Sequence, residues 1–172
     1  MILGGSAAPA RPPPAVQRPG GAHAGHLQLI GVKREEAADL VRDHLTGPVA
    51  AQEWVQHVEF DPELDRWYLR FTCDGRDATT IYFDLRPRSL RYEVYFMPDP
   101  PKNHLDLYRW LLRRNHHEPY NARFSIGPDG DIYLTGRVLY QHLDEEELDR
   151  LIGVCYETVE TWFQTAITLG FK

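Results

Sequence analysis

Cysteine is scarce in this sequence, where Cys73 and Cys155 are the only two among 172 residues. Two cysteines cannot form the framework of bridges that holds small secreted domains together. Long apolar runs are absent too, since no stretch approaches the roughly 18 residues of a membrane-spanning helix. The mean hydropathy of −0.47 agrees with this. We therefore expect neither a disulfide scaffold nor a membrane span.

A surplus of positive charge is also missing. The chain has 19 Lys and Arg against 25 Asp and Glu, which gives a net charge of −6. Binding to nucleic acid or to an anionic membrane needs clustered basic side chains that neutralise phosphates. We therefore expect no nucleic-acid partner and no membrane surface.

Motifs of catalytic and nucleotide-binding sites do not occur: G-x-S-x-G, the Walker motif, G-x-G-x-x-G and H-E-x-x-H are all absent. His116 and His117 are adjacent, so their side chains point apart, and this spacing favours a solvated loop over a metal site. Both cysteines fall on apolar faces of predicted elements, where thiols are usually inert. We predict a protein that is not an enzyme and that needs no cofactor or metal.

The first 26 residues differ in composition from the rest of the chain. Pro, Gly and Ala dominate them, and Arg11 and Arg18 are their only fixed charges. Such a stretch buries too little apolar surface to offset the entropy of ordering, so we expect a disordered tail at residues 1–26. It lacks the apolar segment of a secretory signal, and a cytoplasmic location is therefore expected. Residues 27–172 are predicted to form one domain.

From Leu27 onward the apolar residues alternate between helical and strand periods. Helical stripes predict a first helix over residues 33–45, a second from His104 and a third that Asp144 caps. Strict alternation predicts strands over residues 67–73, 79–85, 90–97, 122–126 and 132–138, with a further candidate at 54–60. Gly136 interrupts the last strand and indicates a bulge or a close backbone approach.

These elements follow one another in blocks rather than in strict alternation. That arrangement predicts an α+β fold, with an antiparallel sheet and the element order α-β-β-β-α-β-β-α. The short loops and the clean alternation of the strands indicate a sheet with one solvated face. The pattern does not determine the order of the strands across the sheet.

The central helix carries apolar side chains on two sides: Leu105, Tyr108 and Leu112 on one, and Leu107, Trp110 and Leu111 on the other. A helix that is apolar on both sides is usually buried on both sides. In a domain of this size, a second subunit can cover one of them. We predict a homodimer whose interface includes Leu107, Trp110 and Leu111.

Several segments resemble actinobacterial YbjN-domain proteins: NHLDLYRWLLRRN (103–115), FSI to GDIYLTGR (124–137), DEEEL (144–148) and LGF (169–171). The resemblance extends over about residues 33–172. It implies the fold of type III secretion chaperones, which is a helix, three strands, a helix, two strands and a helix, commonly paired as a dimer. The family is described as sensory transduction regulators, so the resemblance implies a regulatory or chaperone-like role.

Three tyrosines, Tyr68, Tyr82 and Tyr95, fall on the predicted outer face of the sheet. Exposed aromatic patches usually mark contact surfaces, so we predict that they bind an extended segment of a protein client. The sequence thus predicts a non-enzymatic protein-binding module, either chaperone-like or a regulatory adaptor. One alternative stays open, a regulatory domain that senses a small molecule between the sheet and the last helix, near Trp67 and Trp162.

Overall fold

The computed structural model describes residues 23–117 and 122–172, with side chains over 33–116 and from 122 onward. Most of the predicted tail, residues 1–22, lies outside this part of the chain, as do the side chain of His117 and the whole of Glu118. Helix α1 (His23–His44) begins ahead of Lys33, within the predicted tail. Gly25 and Gly31 weaken the helical pattern there, which is why the sequence places the start too late.

Within the described residues, two further α-helices and six strands follow α1. The strands are β1 (Val55–Asp61), β2 (Arg66–Cys73), β3 (Arg76–Leu85), β4 (Ser89–Met97), β5 (Arg123–Ile126) and β6 (Ile132–Leu139). The helices are α2 (His104–His117) and α3 (Glu145–Phe171). The α+β order is the predicted one, and β1 confirms the additional strand. The Asp144 carboxylate caps α3 by accepting from the Glu147 amide at 2.8 Å.

All six of these strands form one antiparallel sheet in the order β1-β2-β3-β4-β6-β5. The first four strands make a meander. The second hairpin joins β4 through its later strand, β6, and this leaves β5 at the edge of the sheet. The strand β1 forms the opposite edge.

The hydrophobic core lies between one face of this sheet and the helices. Its fully buried side chains come from inward strand positions and from the helices, among them Phe71, Phe83, Phe96, Leu69, Ile81, Leu107, Leu134 and Leu148. Burying a side chain of this size contributes about 1.5–3 kcal/mol. Helix α3 lies along β2, β3 and β4 on this side. The other face of the sheet is left to polar and aromatic residues.

Strand β6 passes very close to the ring of Tyr92 on β4. Tyr92 is the register partner of Gly136, and a Cβ built on Gly136 would lie 2.1 Å from the Cζ atom of that ring. Only glycine leaves room for the ring. The structure therefore confirms the close approach that Gly136 predicts, without a bulge at this position.

We expect Gly136→Ala to lower the free energy of unfolding by about 1–3 kcal/mol, because overpacking a filled core costs that much. Urea denaturation followed by circular dichroism measures the change. Adding Tyr92→Leu to the variant should recover part of the loss, because it removes the ring that the new methyl group meets.

Gly153 provides the matched control for this experiment. It lies in α3, and a methyl group added to it would meet no neighbouring element within 4 Å. Gly153→Ala should therefore raise stability by about 0.5–1 kcal/mol through helix propensity alone. Equal stability of Gly136→Ala and the unchanged chain would contradict the contact with Tyr92.

Candidate functional site

The solvated face of the sheet, which we call the open face, carries cross-strand rows of polar and aromatic side chains. One row contains Arg66, Asp84, Arg91 and Arg137, which are successive register partners on β2, β3, β4 and β6. The next row contains Tyr68, Tyr82, Glu93, Thr135 and Arg123 on the same strands and on β5. Charge and aromatic surface thus lie side by side.

Asp84 is a buried carboxylate at the centre of the first row. It accepts hydrogen bonds from Arg66 Nε at 2.7 Å, from Arg86 Nη2 at 3.1 Å and from Arg91 Nη1 at 3.4 Å. Burial acts to raise the pKa of Asp84, but the bond from Arg66 and the charges of the three guanidinium groups outweigh it, so the pKa lies below its usual value. Arg91 also pairs with Glu93.

The structure places the three predicted client-binding tyrosines on the open face, each half-buried. The rings of Tyr68 and Tyr82 meet edge to face with their centroids 5.5 Å apart. Tyr95 pairs in the same way with Tyr133 of β6, also at 5.5 Å. The predicted set therefore belongs to two aromatic pairs. Tyr133 was missing from that set, although its outward position in the alternation of β6 could have identified it.

A groove of about 660 Å³ opens on this face over β4, β6 and β5. Its charged and aromatic lining consists of Arg91, Glu93, Arg123, Tyr133 and Arg137. The volume is in the range of ligand-binding sites. The groove is open to solvent rather than enclosed.

The residues predicted for a dimer interface lie on the inner side of α2. Leu107 and Leu111 are buried in the core of the single chain. Trp110 packs against Trp162 of α3 with ring centroids 5.7 Å apart, and the Arg114 guanidinium lies over both rings. The two leucines therefore have no surface to offer a second copy, because α3 already covers this side of the helix.

The solvent-exposed side of α2 carries Leu105 and Leu112 instead, whose exposed fractions are 62% and 65%. The sequence shows that α2 is apolar on two sides. It does not show which side faces α3, because that depends on packing between elements far apart in the chain. In the single chain, the apolar surface that α2 leaves exposed is therefore that of Leu105 and Leu112.

Trp67 and Trp162, the predicted walls of a small-molecule site, occupy separate places. Trp67 is buried against Phe60, with ring centroids 4.9 Å apart. Trp162 lines a cavity of about 90 Å³ to which Trp67 does not contribute. A cavity of that size has room for a few water molecules. The two tryptophans therefore do not form a common ligand site.

Reactive groups are few in the part of the chain that the structure describes. No three of its His, Cys, Asp and Glu side chains are grouped so that they could hold a metal ion. Burial raises the pKa of the Cys155 thiol, and it also raises that of Cys73. A raised pKa keeps a thiol protonated and weakly nucleophilic near neutral pH. Within the same residues, none of the helices combines the length and apolarity needed to cross a membrane.

Comparison with known families gives one match that extends over most of the chain. Residues 42–167 match the family model described as "YbjN: Putative bacterial sensory transduction regulator". An uncharacterised protein of Mycobacterium leprae is 34% identical over 109 residues, which is 63% of this chain and 59% of that protein. One from Mycobacterium tuberculosis is 37% identical over 84 residues, 49% of this chain and 45% of its own length. The chain thus spans about half of the length of these relatives.

Comparison with solved structures gives matches at low sequence identity, and one with a TM-score above 0.5 shares the fold. A chain in the crystal structure of the ExsC–ExsE complex matches with a TM-score of 0.54 and 16% identity, over 76% of this chain and 93% of that one. The Yersinia pestis type III secretion chaperone SycH, solved with a fragment of YscM2, has a TM-score of 0.47 and 15% identity, over 77% and 98% of the two chains. At these identities the likeness concerns the fold alone.

The geometry around Asp84 leads to a stability prediction. Asp84→Asn should lower the free energy of unfolding by about 2–3 kcal/mol at neutral pH, because it removes the carboxylate that three guanidinium groups share. The pKa of Asp84 is lower in the folded chain than in the unfolded one. Its contribution is therefore present above the ordinary carboxyl pKa of about 3.9 and is lost as the pH falls through the folded value.

Urea denaturation of both proteins at neutral and acid pH measures this effect, and the difference between them should narrow in acid. Asp39→Asn is the control, because Asp39 forms an exposed pair with Arg42 on α1 and should change stability little. If the difference in the free energy of unfolding between Asp84→Asn and the unchanged chain did not depend on pH, the ionised Asp84 would not be the source of the stabilisation.

Proposed function

This chain belongs to the YbjN family, and from that premise we propose that it is a non-enzymatic protein-binding module, chaperone-like or a regulatory adaptor, which acts as a homodimer. The client binds on the open face. The observation that carries the proposal is that face itself, which is broad, left uncovered by the described helices and lined by two tyrosine pairs.

The tyrosines of the open face are held in place before any partner arrives. The Arg66 guanidinium lies 5.5 Å from the ring centroid of Tyr82, and that of Arg76 lies 5.9 Å from the ring centroid of Tyr95. Tyrosine combines a large apolar ring with a polar hydroxyl and few rotatable bonds. Such rings offer contact area at a small entropic cost, as contact surfaces for proteins require.

The two edges of the sheet differ in their capacity to accept a further strand. At β5, the Asn115 side chain donates to the Phe124 carbonyl at 3.1 Å and accepts from the Phe124 amide at 2.8 Å. It thereby occupies the backbone groups of Phe124 that an added strand would use, within a strand of four residues. Among the described residues, no such side chain closes β1. A client that extends past the open face can therefore add a strand at β1.

The homodimer is proposed to form through the exposed leucines of α2. Leu105 and Leu112 are seven residues apart, which is two helical turns, so they lie on one side of the helix. Ile126 of the neighbouring strand β5 is also exposed, by 55%. Ile126 lines the groove of the open face, so it is not counted with the leucines of α2. Exposed leucines on one side of a helix are typical of protein contacts, and a second copy would bury them.

A co-purification experiment tests client binding. The chain carrying Tyr68→Ala, Tyr82→Ala and Tyr95→Ala should lose a polypeptide that the unchanged chain captures from the lysate of its host, because the aromatic contact area is removed. Mass spectrometry identifies and quantifies the captured proteins. Tyr108→Ala is the matched control, because this tyrosine lies on α2 and away from the open face, and it should retain the client.

Thermal denaturation must show that the triple variant is folded before the captures are compared. If the unchanged chain and the triple variant retain the same polypeptides in equal amounts, the open face is not the client-binding surface. If neither retains any, the adaptor proposal fails.

Light scattering tests the homodimer. The unchanged chain should have twice the mass of one copy, and Leu105→Asp with Leu112→Asp should have the mass of a single copy. Both side chains are exposed in the single chain, so circular dichroism and the melting temperature should be unchanged. Trp110→Ala provides the contrast, since it removes a core contact with Trp162 and should lower the melting temperature. A single-copy mass for the unchanged chain would refute the homodimer.

A further inference from the structure

The groove over β4, β6 and β5 has a charge opposite to that of the whole chain. The chain has a net charge of −6, whereas the groove is lined by the guanidinium groups of Arg91, Arg123 and Arg137 and by one carboxylate, that of Glu93. The nearby Asp84 does not restore the balance, because three guanidinium groups already share it. Guanidinium groups therefore outnumber carboxylates around Arg137, whereas the Asp131 carboxylate lies beside Tyr95 and Tyr133, the latter four residues along β6 from Arg137.

Two of these arginines are direct cross-strand partners. Arg91 on β4 and Arg137 on β6 face each other in the register of the sheet. Like charges in this position destabilise a sheet. Arg91 is partly neutralised by Asp84 and Glu93. Arg137 is exposed and makes no hydrogen bond or ion pair with any residue that the structure describes. An anion from outside the chain would neutralise it.

We propose that this groove binds an acidic segment of the client in extended conformation. An Asp or Glu carboxylate of the segment pairs with Arg137, and its flanking apolar side chains contact Tyr133 and Tyr95. Arginine suits this role, because its planar guanidinium group matches a carboxylate with two parallel hydrogen bonds. The inference rests on the proposed function and adds the chemistry of the client.

The size and charge of the groove favour a peptide over a polymer of phosphates. Three neighbouring strands span about 10 Å, which is the width of one extended chain with its side chains. Binding of a nucleic acid needs basic residues along many successive phosphates. Here three arginines line the groove with Glu93 among them, and the chain as a whole has a net charge of −6. A peptide with one or two carboxylates needs only one or two arginines and is repelled less by the acidic chain.

Selection from a phage-displayed library of random dodecapeptides, with the full chain immobilised, tests the proposal. The enriched peptides should contain more Asp and Glu than the starting library. A fluorescein-labelled copy of the most enriched peptide then gives the Kd by fluorescence anisotropy. Arg137→Gln should weaken binding about fivefold, because it removes a charge-assisted pair at an exposed arginine. Added salt should weaken binding to the unchanged chain.

Arg70→Gln is the matched control, because it removes the same charge from the same face. Arg70 is exposed on β2, outside the groove, and donates to Gln56 at 3.1 Å. Its Kd should stay within about twofold of the unchanged chain, since exposed charges away from the contact have little effect. Equal losses in the two variants would show a general effect of net charge and would overturn the assignment to the groove.

The remaining outcomes separate this inference from the proposed function. Enriched peptides without an acidic bias, which the Tyr68/Tyr82/Tyr95 alanine variant no longer binds, would overturn the acidic client and support the open face as a protein-binding surface. An absence of any enriched peptide would count against both. A labelled oligothymidylate could instead bind more tightly than the peptides and lose this binding in Arg137→Gln. That result would show that the groove binds phosphates, and it would overturn the inference.

Discussion

The packing of α3 along one face of the sheet is the contact on which the rest of the structure depends. The helix buries Leu148, Leu151, Cys155 and Val159 against the inward side chains of the central strands. This contact commits one face of the sheet to the core and leaves the other to solvent. It also occupies the inner side of α2, because Trp162 meets Trp110 there. The surfaces that this packing leaves exposed are the open face of the sheet and the side of α2 that carries Leu105 and Leu112.

Features that depend on local periodicity could be predicted from the sequence. Alternation places Tyr68, Tyr82 and Tyr95 on one face whatever the order of the strands, because successive side chains in a strand point to opposite sides. The α+β class and the cap of α3 at Asp144 likewise depend on neighbouring residues. Gly136 also predicts a close approach, because a glycine inside a strand has no side chain to keep a neighbour away. The sequence does not show that Tyr92 is the neighbour.

Features that depend on distant parts of the chain could not be predicted in this way. Both sides of α2 are apolar, and only its packing on α3 shows that Leu107 belongs to the core and Leu112 to the surface. The pairing of Tyr95 with Tyr133 requires β4 and β6 to be neighbours, which follows from the strand order. The shared carboxylate of Asp84 likewise requires Arg66 and Arg91 to flank it from two strands.

The hydrogen bonds of Asn115 to Phe124 have a consequence for how copies of this protein can associate. A sheet with two free edges can polymerise, because each added copy presents a new edge to the next. Here Asn115 already occupies the amide and carbonyl of Phe124 on the β5 edge, so pairing between sheets would favour β1, which would join two copies and no more. A single amide side chain thus makes growth of the sheet through β5 less favourable than pairing through β1.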